Sequence, residues 1–496
     1  MAIKFGTSGW RAVISDEFTF NNVRLVTQAI ADYLTDSQQP LTAHRTPLVI
    51  VGYDTRFLSK EFAAACAEVL AANGIKVLLC DRDTPTPVIA YQILKNKANG
   101  GINFTASHNP PEYNGIKFSP QTAAPAPVEI TGKIEEGIKK LQELSLRGAP
   151  NFRGDEAISK AGITSVTSLP RNDGIRVFDP KPAYLSRLKK LINFDAIKKA
   201  KLKVAVDCLY GTSRDYLDLL LKEAGCKVEV LHNWLNPYFD GKRPEPSEEN
   251  IQDLIGCVKK HKLNLGLSCD GDADRFGIVD SDGTVIYANQ VISLLLYHLI
   301  RTRPVKKGAV AARTVATTHM MDEICKKYGI ELHETPVGFK YFAQYLAKDS
   351  CVITGEESGG LSIGGHIPEK DGILACLLIA EMVAINKKSL KEILESLYKE
   401  FGYFYFDRID LHLTQAKKDK LMGTLLNDTP GVFAGTEVVK ADKRDGCKLL
   451  FKDLSWVLFR ASGTEPIVRC YFEARSKKRL NDLILAGRQL TAVIPK

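Results

Sequence analysis

Three times in its first 400 residues the chain repeats one order: apolar run, amphipathic stretch, apolar run, amphipathic stretch, apolar run. The first set is Leu48–Gly52, Ile75–Leu79 and Ile102–Phe104. The second is Val204–Val206, Val228–Leu231 and Leu263–Leu267, and the third Ala309–Ala312, Ile330–Leu332 and Cys351–Ile353. The stretches between carry apolar residues at helical spacing, as in Phe62-Ala-Ala-Ala-Cys-Ala-Glu-Val-Leu70. Strands alternating with helices build parallel α/β units, so the pattern predicts three similar mixed α/β domains. Past Phe401 the plan breaks into short strand-like runs (Tyr403–Phe406, Val457–Phe459, Val468–Glu473) and a final helix, Lys478–Val493, which predicts a smaller C-terminal α+β domain. A chain of 496 residues is too long for one core. Boundaries are expected in the Gly/Pro-rich stretch Arg147–Pro182 and near Tyr287 and Asn386, which divides the chain into 1–165, 166–286, 287–388 and 389–496.

Several function classes drop out. The composition, 45% hydrophobic and 25% charged, is that of a globular protein. Met1–Gly9 lacks the apolar stretch of a signal peptide. The longest apolar runs, Val291–Ile300 and Ile373–Ile385, are too short to cross a bilayer, and the second contains Glu381; both read as buried helices, with no membrane partner. Eleven scattered cysteines without a Cys-x-x-Cys pair read as reduced core residues of a cytoplasmic protein. The net charge of +9 lies on mixed-sign helical stretches such as Leu390–Glu400, so no nucleic-acid partner is expected.

In each set the third strand runs straight into a polar loop: Thr105–Asn109, Asp270–Arg275, Gly355–Gly360. A strand that stops at Ser107-His-Asn-Pro110 puts a hydroxyl at the lip of a sheet, where open α/β sheets bind ligands. Asp270, Asp272 and Asp274 alternate, and carboxylates converging that closely repel one another without a cation; hard oxygen ligands suit magnesium or calcium. An EF-hand is excluded by Arg275 at its glycine position and Ser281 at its closing glutamate position. Gly355-Glu-Glu-Ser-Gly-Gly360 offers acceptors and a hydroxyl between flexible glycines, suited to adjacent sugar hydroxyls, and Gly365–Gly372 adds His366 and a lysine. Arg460-Ala-Ser-Gly-Thr-Glu-Pro-Ile-Val-Arg469 has the features of a phosphate cradle: Ser462 and Thr464 hydroxyls, backbone N–H groups opened by Gly463, and guanidinium forks at Arg460 and Arg469. Gly6–Arg11 adds an arginine ahead of any periodic segment.

Together, and in this order, Gly6–Arg11, Thr105–Pro110, Asp270–Arg275, Gly355–Gly360 and Arg460–Arg469 resemble the motifs of the α-D-phosphohexomutase family, the phosphoglucomutases and phosphomannomutases, over the whole chain. The resemblance implies three similar mixed α/β domains and a smaller fourth around one central cleft. It implies that Ser107 carries a phosphate, with Arg11 and His108 in the phosphoserine site and Lys117 moving a proton beside it. It implies one Mg²⁺ on Asp270, Asp272, Asp274 and a phosphoserine oxygen, with Arg275 supporting that loop. Sugar hydroxyls would be read by Glu356, Ser358, His366 and Lys340, and the distal phosphate by Arg460, Ser462, Gly463, Thr464 and Arg469. The implied reaction interconverts hexose 1-phosphate and hexose 6-phosphate through a hexose 1,6-bisphosphate, which also serves as activator, in a monomer or homodimer. The Glu-Glu-Ser loop and Phe339 in Thr335–Tyr341 look like the glucose-preferring branches, with mannose or dual specificity as the alternative. A phosphosugar phosphatase and a non-catalytic phosphosugar-binding relative are the rivals from other classes.

Overall fold

Each of the three repeated sets becomes a parallel trio with its first strand in the middle. The computed structural model of the chain describes residues 3–6, 9–36, 46–147, 174–462 and 466–493. The first sheet contains β1 (Trp10–Val13), β2 (Leu48–Tyr53), β3 (Lys76–Cys80), β4 (Gly100–Phe104), β5 (Tyr113–Pro120) and β6 (Ile175–Phe178), in the spatial order β1-β5-β4-β2-β3-β6. The second contains β7 (Lys203–Asp207), β8 (Lys227–Leu231), β9 (Leu265–Cys269), β10 (Phe276–Asp280) and β11 (Val285–Ile286), ordered β11-β10-β9-β7-β8. In the third, β12 (Val310–Thr314) pairs in parallel with β13 (Glu331–Thr335) on one side and β14 (Cys351–Glu356) on the other. β4 and β9 are buried along their whole length, which is why they read as unbroken apolar runs. In the first two sheets the next strand returns antiparallel, β5 on β4 and β10 on β9, so a tight polar turn stands between them. Those turns are the serine loop and the aspartate loop.

Packing behind the first sheet is aromatic. Trp10 stacks on Phe18 at 4.8 Å, and Phe18 meets Phe62 edge-on at 5.0 Å. Each such buried ring contributes about 1.5–3 kcal/mol.

The chain forms two compact units. The first comprises 1–288, 342–349 and 358–390; the second comprises 289–341, 350–357 and 391–496. Within the first unit, helix Gly372–Asn386 packs on β9, β10 and the helices Phe194–Ala200 and Leu217–Glu223. It is apolar on every face, and such a helix must be covered all round. Its one acidic residue, Glu381, is buried and accepts the Asn193 N–H at 2.6 Å. Asp371 caps the helix by accepting the Leu374 N–H at 2.9 Å. β15 (Gly360–Ile363) also belongs to this unit.

In the second unit β12, β13 and β14 are joined by a six-stranded antiparallel sheet. Its strands are β16 (Tyr405–His412), β17 (Val432–Phe433), β18 (Thr436–Asp442), β19 (Cys447–Phe451), β20 (Trp456–Ala461) and β21 (Ile467–Ala474), ordered β16-β21-β20-β19-β18-β17. Helices Gln415–Asn427 and Lys477–Val493 accompany it. A small apolar cluster of Val315, Ala316, Trp456, Leu458 and Tyr471 joins this sheet to the turn after β12.

Some elements differ from the sequence expectations. Ile175–Phe178, beyond the boundary expected at 165, adds to the first sheet beside β3, because its register with Val77–Cys80 continues the parallel pairing. The boundary itself lies outside the described residues. In the C-terminal domain β17, β18, β19 and helix Gln415–Asn427 had no counterpart in the sequence reading; β18 is half exposed, with Glu437 and Lys440 breaking its apolar pattern. The long apolar runs are buried helices, as expected, and no helix among the described residues is long and apolar enough to cross a membrane. The eleven cysteines remain thiols, ten of them buried.

Candidate active site

β4 ends at Phe104 and the chain turns at once. Thr105 Oγ1 accepts the Ser107 N–H at 2.9 Å, and Ser107 takes a φ of 53°. An L-residue in the left-handed region costs roughly 1–2 kcal/mol; Arg56 donates to three carbonyls of the turn and to that of Tyr113, where β5 begins. The buried Ser107 hydroxyl donates to Asp270 Oδ2 at 2.9 Å, and His108 Nδ1 lies 3.4 Å from it. Arg11, on β1, donates to Asn109 Oδ1 at 2.8 Å. Burial, with Arg275 and Arg11 nearby, pushes the His108 imidazole well below its ordinary pKa.

The aspartate loop meets this turn within the first unit. Gly271 makes the approach possible: a Cβ there would stand 2.8 Å from Ser107 O and 3.0 Å from the Pro244 ring. Ala273 takes a positive φ of 57°, which tightens the loop so that ligand oxygens of Asp270, Asp272 and Asp274 lie within 4.8 Å of one another. Asp270 Oδ1 accepts the Arg275 N–H at 2.9 Å, and the Arg275 guanidinium reaches Glu245 at 3.1 Å. Asp272 Oδ2 accepts from Thr86 Oγ1 at 2.5 Å and from Lys117 Nζ at 2.5 Å. Asp274 Oδ2 takes Lys117 at 3.0 Å and Lys370 at 3.3 Å. Lys117 is positioned by β5, directly opposite Asn103 of β4.

Electrostatics of the cluster favour a cation. Burial, then Asp274 and Asp272, push the Asp270 carboxyl well above the usual carboxylate range. Burial also works to raise Asp274, but Lys117, Lys370 and Arg275 outweigh it and hold that carboxyl below its usual range. The Oδ1 atoms of Asp272 and Asp274 are buried and have no hydrogen-bond partner. Two orphaned carboxylate oxygens beside a third aspartate that faces a serine hydroxyl form an all-oxygen set, which a hard divalent ion such as Mg²⁺ fits.

The remaining expected residues divide between the units. In the second, Glu356 is buried at the end of β14, and Lys340 is half-buried with Nζ 5.3 Å from the Tyr341 ring. Arg460 and Arg469 face each other across β20 and β21, a like-charge pair that an anion would relieve. Asp445 holds Arg460 Nε at 2.9 Å and accepts the Val337 N–H at 2.8 Å. Ser462 is buried, with its carbonyl taking Lys418 at 3.0 Å; Gly463 and Thr464 lie outside the described residues. Ser358 is in the first unit, half-buried. His366, expected at the sugar, is turned inward instead. Its side chain is wholly buried with Nε2 at 2.7 Å from Asp371, which also accepts the Tyr184 hydroxyl. The ring's Nε2 helps fix the helix cap, while its Nδ1 is buried without a hydrogen-bond partner.

Four family models cover successive parts of the chain. Phosphoglucomutase/phosphomannomutase α/β/α domains I, II and III match residues 2–145, 182–283 and 287–401, and the C-terminal domain of the same enzymes matches 417–486. A phosphoglucomutase/phosphomannomutase of Thermococcus kodakarensis is 31% identical over 98% of both chains. The chain belongs to the phosphoglucomutase/phosphomannomutase family. A phosphoglucomutase of Komagataeibacter xylinus is 29% identical over 95% of this chain and 87% of its own. The crystal structure of a putative phosphomannomutase from Thermus thermophilus superimposes with a TM-score of 0.81 at 30% identity, over 99% of each chain. The chain is thus a phosphohexomutase, an enzyme that moves a phosphoryl group within a phosphosugar.

For a mutase of this family, sequence reasoning passed over four polar residues that meet the two loops. Thr86 bonds Asp272 through side chain and backbone, and Asn103 donates to Thr86 Oγ1 at 2.8 Å. Lys370 reaches Asp274, and Arg56 holds the serine turn. Lys370 had a signal, being the cation of the Gly365–Gly372 segment. The other three lie in ordinary strand and helix-start contexts.

Proposed function

We propose that the chain interconverts hexose 1-phosphate and hexose 6-phosphate through a phosphorylated Ser107, with glucose phosphate as the preferred substrate. The observation that carries this reading is the Ser107 hydroxyl 2.9 Å from Asp270, beside two aspartate oxygens that lack partners. In the first half-reaction the free hydroxyl of the hexose phosphate bonds to phosphorus as the bond from phosphorus to Ser107 Oγ breaks. The hydroxyl proton passes to a base and Ser107 Oγ takes one up; burial works to lower the Lys117 pKa, but Asp272 and Asp274 outweigh it and keep an ammonium that can donate that proton beside the serine. The second half-reaction returns the other phosphate to Ser107. Such transfers need in-line positioning and cancelled charge more than covalent help. Mg²⁺ held by Asp270, Asp272 and Asp274 would supply Lewis-acid polarisation of the phosphoryl oxygens. Arg11 and His108 steady the serine phosphate; Arg460, Ser462 and Arg469, with Gly463 and Thr464, grip the distal phosphate of either orientation. Glu356, Ser358 and Lys340 read the sugar hydroxyls, and the Glu-Glu-Ser loop with Phe339 favours glucose.

The test is a coupled assay of glucose, mannose and glucosamine 1-phosphates with Mg²⁺ and a trace of hexose 1,6-bisphosphate, alongside Ser107→Ala. Wild type turns over glucose 1-phosphate with the highest kcat/KM, intact mass shows one phosphate on Ser107, and Ser107→Ala loses activity by several orders of magnitude. Near-normal turnover by the alanine variant sinks the carrier assignment. A higher kcat/KM for mannose 1-phosphate sinks only the sugar preference. Phosphate release to water without isomerisation identifies a phosphatase.

A further inference from the structure

Arg56 has no task in the scheme above, yet it is buried against the reacting turn. It stands in Tyr53-Asp-Thr-Arg-Phe57, at the C-terminal end of β2, and is only 3% exposed. Its guanidinium is fully engaged. Nε faces Asp54 Oδ2 at 3.2 Å; one terminal nitrogen donates to Pro110 O at 2.6 Å and Tyr113 O at 3.0 Å. The other donates to Ser107 O at 2.8 Å and Asn109 O at 2.6 Å. The Phe239 ring covers one face, with its centroid 5.1 Å from the guanidinium carbon.

Four carbonyls drawn onto one planar cation fix the peptide planes of the turn, and with them the direction of the side chain each plane carries. The carbonyl of Ser107 is doubly constrained, because the space a Gly271 side chain would need lies against the same oxygen. The left-handed Ser107 is thus held on both sides, its N–H by Thr105 Oγ1 and its carbonyl by a residue 51 positions earlier. We propose that Arg56 is a positioning residue for phosphoryl transfer: by gripping the carbonyls of Ser107, Asn109, Pro110 and Tyr113 it holds the turn that aims Ser107 Oγ at Asp270. This rests on Ser107 as the phosphate carrier. A lysine keeps the charge but offers three donors from one nitrogen, and cannot reproduce a planar fork that serves four separated acceptors.

Displacing a reacting atom by about 1 Å costs on the order of 10²-fold in rate. For Arg56→Lys, kcat should fall by about 10²-fold while KM for hexose 1-phosphate stays within about twofold, since the sugar contacts are untouched. Uptake of phosphate onto Ser107 from hexose 1,6-bisphosphate, followed by intact mass, should slow in parallel. Phe239→Leu keeps every bond of Arg56 and loosens only one face of its plane; it should lower kcat severalfold at unchanged KM. An Arg56→Lys enzyme with kcat within about twofold of wild type overturns the proposal. So does a loss explained wholly by misfolding, with the folded fraction fully active by titration of phosphorylatable Ser107. If Arg56→Lys yields no folded protein, an unchanged kcat for Phe239→Leu overturns it. Ser107→Ala separates the two readings. If that variant stays active, the carrier assignment fails and this inference with it; if it is dead while Arg56→Lys behaves normally, only this inference fails.

Discussion

Lys448 is 1% exposed, and its ammonium donates to Val315 O at 2.7 Å, Glu334 Oε1 at 2.8 Å and His319 Nε2 at 2.9 Å, over the Trp456 ring. Burial, joined by Arg313, lowers its pKa to about 8, against the pull of Glu334 and Glu473. Glu334 moves to about 2: burial works to raise it, but Arg313 and Lys448 outweigh that. The two shifts do not mirror each other because Glu334 also faces Arg444 and Arg313, while Lys448 is the more buried partner. For the lysine, the folded pKa lies below the unfolded one. The charge therefore costs stability below pH 8, and the cost fades as pH rises from 8 to 10.5, by about 3 kcal/mol in all. The stability of wild type relative to Lys448→Met should thus rise between pH 7 and 10, read as the change in their Tm difference. A difference flat across that range refutes the assignment. At this scale Ser107 and the three aspartates were legible in the sequence because each motif is a short run of unusual chemistry. Thr86 and Arg56 were not, because their partners lie 186 and 51 residues away; the lysine of Gly365–Gly372 was, but not its partner Asp274, 96 residues off. A lone threonine or arginine beside a strand carries no mark of what the fold will bring to it.

Helix Gly372–Asn386 shows what an element needs when its sequence has no polar face. Asp371 accepts the Leu374 N–H, the Tyr184 hydroxyl at 2.7 Å and His366 at 2.7 Å, all in buried surroundings. Asp371→Ala removes the cap and strands two buried donors, which should cost roughly 2–4 kcal/mol. Urea unfolding of the first unit reads that loss; a cost within experimental scatter would mean that the cap is replaced by its neighbours. The helices and parallel strands could be read from the chain because apolar period and length set them. β18 could not: next to the sheet edge, with exposed Val439 and Lys440, it lacks both the continuous run of a buried strand and a clean alternation, while the short buried β19 is interrupted by Lys448.

Across the whole molecule, the acidic cluster and its partners Ser107, Thr86, Lys117 and Lys370 belong to the first unit. If Mg²⁺ binds there, it stabilises what it binds, by about 1.4 kcal/mol at ten times its Kd. Calorimetry with and without Mg²⁺ should then raise the transition of the first unit and leave that of the second in place. Asp371→Ala identifies the first by lowering it, and Lys448→Met marks the second. A Mg²⁺ shift confined to the transition that Lys448→Met moves would place the metal elsewhere. The threefold plan was visible in the sequence; its division into units was not, since no local pattern reports that helix Gly372–Asn386 packs on β9 and β10 as well as on β15 just before it.

That division has a consequence for how the protein is made. The chain passes between its two units at 288/289, 341/342, 349/350, 357/358 and 390/391, so no single cut separates them. On a ribosome the serine and aspartate loops emerge long before residue 386, and until then the surface that β9 and β10 offer to the late helix stays uncovered. A nascent chain stalled before that helix would carry every candidate metal ligand and still be an incomplete fold, recognisable to chaperones by that bare sheet.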